Sequence, residues 1–218
     1  FTEIGQYAGV FATNWSWSPL FCDFDNDGFK DLYITNGYGR NSTYMDAVVL
    51  AVQHMIKQQR GQSHLPKMGV IEQIPPTVLN NYLYRNNGDY TFTDVTDSWG
   101  DERASLSNGA AYADLDNDGD MDLVVSTIND FPLVFRNNSR KINGNHYLKI
   151  KLNGSGMNRG GIGARLDATC GNNTYTQEFM PSRGYMSSMN HEIIFGLGKS
   201  TMVDTLRIIW PDMREQVI

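Results

Sequence analysis

Asp114-Leu115-Asp116-Asn117-Asp118-Gly119-Asp120-Met121-Asp122 decides how the chain is read, because the same pattern stands earlier as Asp23-Phe24-Asp25-Asn26-Asp27-Gly28-Phe29-Lys30-Asp31. Both stretches carry aspartate at positions 1, 3, 5 and 9 and glycine at position 6. Four carboxylates in so short a segment repel one another unless a cation sits among them. Calcium suits the set, because it accepts about 6–8 oxygens at roughly 2.3–2.6 Å in flexible geometry. Magnesium prefers few carboxylates and several waters. The D-x-D-x-D alternation aims every second side chain inward, and the glycine permits the sharp turn. The backbone carbonyl at position 7, Phe29 or Asp120, can add a further oxygen. The alternative is a solvated turn without metal. One or two Asp, Asn or Gly residues suffice for such a turn, however, and the same four carboxylates recur here.

An EF-hand is excluded. That loop needs Glu at position 12 between two helices, and here position 12 is Ile34 or Val125. Apolar, β-rich segments flank each loop: Pro19-Leu-Phe-Cys and Asp31-Leu-Tyr-Ile-Thr around the first, Ala110-Ala-Tyr-Ala and Asp122-Leu-Val-Val-Ser around the second. Each loop is therefore expected to join two strands.

Shifted against itself by 91 residues, the chain matches from Phe1-Thr-Glu-Ile on Phe92-Thr-Asp-Val through to about Thr127. A second marker, Leu83-Tyr-Arg-Asn-Asn-Gly88 on Val134-Phe-Arg-Asn-Asn-Ser139, matches at a shift of 51, so the first unit holds about 40 extra residues. The underlying unit of about 50 residues, with four short strands, predicts propeller blades. The insertion covers roughly 40–80. Within it Met45, Val48, Val49, Val52, Met55 and Ile56 recur at helical spacing, which predicts an amphipathic helix over Thr43–Gln59. Gly61–Pro76 reads as loop, with a possible helical turn at Val70–Ile74. From His146 the pattern changes to alternating segments at 146–152, 164–170, 175–180, 192–195 and 205–210, expected to form a small antiparallel β domain over 146–218.

Composition sets limits on function. The net charge is −6 over 218 residues, and two divalent ions, adding four charges, would bring it to −2. An acidic chain without Arg-rich or RNP-like segments is a poor nucleic-acid binder. No apolar run is long enough for a membrane span. The chain opens at Phe1 rather than Met, as an interior fragment or processed product would. Cys22 and Cys170 are expected to be buried free thiols rather than a pair. None of His54, His64, His146 and His191 lies in an H-E-x-x-H pattern, and neither a G-x-S-x-G elbow nor a Walker loop occurs. Asn158-Arg-Gly-Gly-Ile-Gly has no following Lys-Ser/Thr, so it reads as a turn or bulge. Arg159 and Arg183 are expected to pack on aromatic faces, with an acidic ligand as the alternative. Trp15, Trp17 and Tyr38 suit a blade core, with sugar stacking as the alternative.

The two loops between short strands resemble FG-GAP/VCBS repeats, the blades of integrin-type β-propellers. Asn158-Arg-Gly-Gly-Ile-Gly-Ala, Arg183-Gly-Tyr, Phe195-Gly-Leu-Gly and Ile209-Trp-Pro-Asp212 resemble the ASPIC/UnbV domain. With the insertion before Asn80-Asn-Tyr-Leu-Tyr-Arg-Asn-Asn-Gly-Asp, the combination is similar to large surface or secreted proteins of Bacteroidetes. The resemblance implies an all-β fold, with an incomplete propeller at 1–145. It also implies calcium at two sites, held by Asp23, Asp25, Asp27 and Asp31 and by Asp114, Asp116, Asp118 and Asp122. The function expected on this basis is a non-catalytic, calcium-binding module at the cell surface or secreted. Such a module binds a protein or glycan, or joins an outer-membrane assembly. The alternative is an accessory region of a larger enzyme acting on extracellular polysaccharide.

Overall fold

The computed structural model describes residues 1–40, 45–61 and 77–218. Its sheets are all built of short antiparallel strands. After a short helix, α1 (Gly5–Ala8), the first unit is a four-stranded sheet in the order β1 (Ser16–Cys22), β2 (Asp31–Asn36), β3 (Tyr82–Asn86), β4 (Phe92–Asp94). The second unit pairs β5 (Ser107–Ala113), β6 (Asp122–Thr127) and β7 (Leu133–Phe135). The two units superpose in register. β1 pairs β2 through Cys22↔Asp31, with an irregularity between Ser16 and Pro19. β5 pairs β6 through Ala113↔Asp122, with the same irregularity between Ser107 and Ala110. The bulge falls at the same place, 91 residues on, so strand twist and loop entry are set alike in both units.

β2 is buried along its whole length, because both faces of its sheet are covered. Tyr33 points into a core with Leu20, Leu83, Ala110, Leu123 and Val125, which joins the two sheets. Leu32 and Ile34 point the other way, onto Tyr84, Val10 and Phe92. The sheets are tied by the Thr35 hydroxyl, which donates to the Asn108 carbonyl at 2.5 Å. A side chain at Gly37 would also run into the Ser107 backbone.

Four strands were expected in each unit, and the second has three. The difference arises after the Arg-Asn-Asn marker. In the first unit Gly88 (φ 78°) and Tyr90 (φ 69°) turn the chain back into β4. In the second, Ser139 stands in place of that glycine, and its N–H donates to the Asn137 side chain at 2.9 Å just as the Gly88 N–H donates to Asn86. The chain then continues into a helix, α3 (Ser139–Asn143), the next after the insertion's α2 (Met45–Gln59). The strands thus form open sheets, and the described residues contain no closed propeller.

The helix in the insertion, α2 (Met45–Gln59), forms as its spacing predicts, but among its described residues it buries Ala47 alone. Met45, Val48, Val49, Val52, Met55 and Ile56 are exposed. The loop at 62–76, with its possible turn at Val70–Ile74, lies outside the described residues.

The C-terminal unit follows as two sheets. β8 (His146–Ile150) pairs β11 (Ile193–Gly198), and β10 (Asn173–Glu178), β9 (Arg165–Cys170), β12 (Thr205–Ile209) and β13 (Glu215–Val217) form the second sheet in that order. Its core holds Ile150, Leu166, Ala168, Phe195 and Ile208. Cys22 and Cys170 are both buried and free, in two different cores. Among the described residues, no helix is long and apolar enough to cross a membrane.

Candidate metal centre

Each Asp loop is held by the same hydrogen bonds, 91 residues apart. The carboxylate at position 1 accepts the N–H groups at positions 5 and 6: Asp27 and Gly28 onto Asp23, Asp118 and Gly119 onto Asp114. The carboxylate at position 5 accepts the N–H at position 7, Phe29 onto Asp27 and Asp120 onto Asp118. Position 4 is left-handed in both, Asn26 at φ 57° and Asn117 at φ 59°, and asparagine tolerates this better than branched residues do.

Position 9 does something that the spacing alone does not reveal. Asp31 accepts the Phe24 N–H at 2.9 Å on one oxygen and the Asn86 N–H at 3.0 Å on the other. Asp122 does the same with Leu115 at 2.9 Å and Asn137 at 2.8 Å. The Arg-Asn-Asn marker is thus a part of the loop. Asn86 and Asn137 also donate through their side chains to the Lys30 and Met121 carbonyls. The arginine just before each asparagine reaches the acidic cluster. Arg85 bonds Asp25 at 3.0 Å and lies 3.5 Å from Asp27, and Arg136 pairs with Asp116. The signal for this was the second, 51-residue match, whose partner in space the sequence does not name.

The structure brings Asp23, Asp25 and Asp27 together in the first loop, and Asp114, Asp116 and Asp122 in the second, with one oxygen from each within 4.8 Å of the others. Asp31 stands outside the first triad and Asp118 outside the second. Among the described residues the carbonyls of Phe29 and Asp120 accept no hydrogen bond, so each remains free as a ligand. The Asp120 side chain, by contrast, faces the other loop, where it accepts from the Asn26 amide at 2.8 Å and from the Arg140 N–H at 3.0 Å. Three carboxylates and a free carbonyl per loop make an all-oxygen donor set that fits calcium.

The C-terminal unit closes over both loops. Gly28 lies against the Tyr175 ring and Gly119 against the Tyr147 ring, and any side chain at either glycine would overlap its aromatic neighbour. Gly196 packs on Asp23 and Asn26, and the Gly198 N–H donates to the Asn26 carbonyl at 2.9 Å. Lys149 pairs with Asp114 at 2.5 Å and with Glu192 at 3.4 Å. The loops are therefore the seam between the blades and the C-terminal unit.

Burial raises the Asp23 carboxyl to about 7, and the Asp27 and Asp25 charges push the same way. Burial likewise raises Asp31 to about 8, against two backbone N–H bonds that lower it. A carboxyl raised in the fold binds protons that the unfolded chain has already released. The cation-free protein is therefore expected to lose stability as pH rises from about 4 to about 8. Urea midpoints in chelator across that window measure this, and a flat profile would contradict it.

The residues weighed for other chemistry are placed as follows. His191 meets the Phe179 ring edge-on at 5.8 Å. Arg183 donates to the carbonyls of Met180 and of Glu178 at the end of β10, rather than packing on an aromatic face. Trp15 stacks on Tyr38 at 4.4 Å and remains partly exposed, so this pair is not a blade core.

No curated protein matches the chain. A model of the ASPIC and UnbV domain matches residues 154–218, and a model of the FG-GAP-like repeat matches residues 78–125, a span that runs from before β3 through the second Asp loop. The chain is thus similar to an FG-GAP-like repeat, with a segment similar to the ASPIC and UnbV domain after it.

Proposed function

We propose that this chain is a non-catalytic, calcium-binding module that acts at a cell surface or as a secreted protein, where it binds a protein or glycan or joins an outer-membrane assembly. One observation carries the reading: two loops with the same hydrogen bonds each converge three carboxylates, and both lie under the C-terminal unit. Asp23, Asp25, Asp27 and the Phe29 carbonyl hold one ion; Asp114, Asp116, Asp122 and the Asp120 carbonyl hold the other. Asp31 and Asp118 support them from beside the triads. The ions neutralise buried charge and fix the seam. The surface that recognises a partner then keeps its shape. Extracellular calcium modules are of weak to moderate affinity and fill where calcium is millimolar, which supports reading this module as one that acts outside the cytosol.

Calorimetric titration tests the metal. Two calcium ions per chain are expected, with magnesium unable to replace them, and terbium in the loops should be sensitised through Tyr147 and Tyr175. A flat calcium titration, or equal binding of magnesium, would overturn the reading. Glycan arrays and surface-protein capture with the intact protein, run in calcium and in chelator, test the partner class.

A further inference from the structure

Between β3 of the first sheet and β7 of the second lies a cleft of about 550 Å³. That is within the range of roughly 300–1,000 Å³ that encloses small ligands. Its floor is apolar, from Tyr33, Leu83, Leu123 and Phe135. Arg85 and Arg136 stand in its wall at equivalent places in the two repeats, and both are about half exposed.

The polar groups of the cleft are unevenly satisfied. The Asn137 amide already donates to Phe24 and Met121, and the Asn143 amide to Asp25. Among the described residues, the Trp99 indole N–H and the Asn138 side-chain amide donate to nothing, and each guanidinium keeps N–H groups without a partner. The groups at the rim that lack a protein partner are donors and suit the acceptor-rich end of a ligand, whereas the buried atom of the lining that lacks one, an Asp101 carboxylate oxygen, is an acceptor. Two carboxylates also border the cleft. Asp25 is neutralised by Arg85, and Asp101 lies at the floor, where it accepts from the Tyr33 hydroxyl at 2.8 Å.

We propose that this cleft binds a small amphiphilic anion, an apolar ring or chain bearing one carboxylate or sulfonate, with Arg85 and Arg136 holding the anionic end. The affinity rises when calcium fills the loops. This linkage rests on the calcium reading, because the ion takes over the Asp25, Asp27 and Asp116 oxygens that the two guanidinia now neutralise. The freed N–H groups then face the cleft. By reciprocity the anion also tightens calcium binding.

The experiment compares anilinonaphthalene sulfonate with the uncharged phenylnaphthylamine on the whole chain, in calcium and in chelator. One sulfonate per chain is expected, bound about tenfold more tightly than the neutral ring in calcium, as a charge-assisted contact gives. The double variant Arg85→Gln/Arg136→Gln removes that preference but keeps the neutral ring. Asn138→Asp, a same-shape change that adds a negative charge at the rim, weakens the sulfonate alone. Equal affinity of the two probes, or a preference that survives both variants, overturns the site. A sulfonate affinity that calcium leaves unchanged, while calcium still raises the melting temperature, overturns the linkage. A melting temperature that ignores calcium overturns the loop reading instead, and the probe comparison in chelator then still decides on the cleft.

Discussion

Gly119→Ala is expected to destabilise the protein by about 2–4 kcal/mol, because the substitution meets two obstacles at once. Gly119 sits at φ +90°, where a Cβ strains the backbone, and the Tyr147 ring fills the space that the methyl group needs. The ring cannot simply swing away. Tyr147 is in β8 and packs against the interblade core, and the Arg140 guanidinium stands 4.9 Å over its face. Gly100→Ala separates the two causes. Gly100 has nearly the same φ, +92°, but open space around its Cβ position, so it reports backbone strain alone. That component is about 1–2 kcal/mol. Urea unfolding of the two variants measures the difference. In a Tyr147→Ala background, Gly119→Ala should cost only the backbone part. If Gly119→Ala is no worse than Gly100→Ala, the C-terminal unit does not pack on the second loop as described.

The loops themselves were legible because their information is local. Asp at alternate positions, a glycine turn and flanking β-branched residues fix a strand–loop–strand within nine residues. The 91-residue self-match carried this through the flanking strands, and the structure adds a shared bulge at Ser16–Pro19 and Ser107–Ala110 that the spacing did not announce. What lies across the loops was not legible. Arg85, Asn86, Arg136 and Asn137 stood out as a repeated marker, yet nothing in their spacing says that they return to the carboxylates. Tyr147 and Tyr175 look like ordinary strand aromatics until the C-terminal unit is placed on the blades. The missing fourth strand of the second unit coincides with Ser139 in the place of Gly88, a change that a repeat match reads as conservative. The left-handed turn at Gly88 and Tyr90 has no counterpart there, and α3 follows instead.

Removing calcium is expected to have the largest effect of all, and two side chains separate metal loss from loop collapse. At free calcium a hundredfold above its dissociation constant, each site contributes about 2.7 kcal/mol, so two sites contribute about 5 kcal/mol. For a chain of this length about 1 kcal/mol moves the melting temperature by roughly 2–4 °C, so chelation should lower it by about 10–20 °C. Asp31 and Asp122 are poor probes, since each accepts two backbone N–H groups and its loss would open the loop with or without metal. Asp116 is exposed and, among the described residues, pairs only with Arg136. Asp25 accepts one long bond from the Asp27 N–H, at 3.3 Å, besides its pairing with Arg85. Asp116→Ala should therefore fold and keep about half of the calcium-dependent shift, because the first loop is intact. Asp25→Ala/Asp116→Ala should fold and keep none of it, since each loop then lacks the carboxylate at its third position. Scanning calorimetry with added calcium and with chelator reads all three proteins. A double variant that still melts higher in calcium would mean that these carboxylates do not hold the ion. Arg85, Arg136 and Lys149 would then be what balances the loop charge.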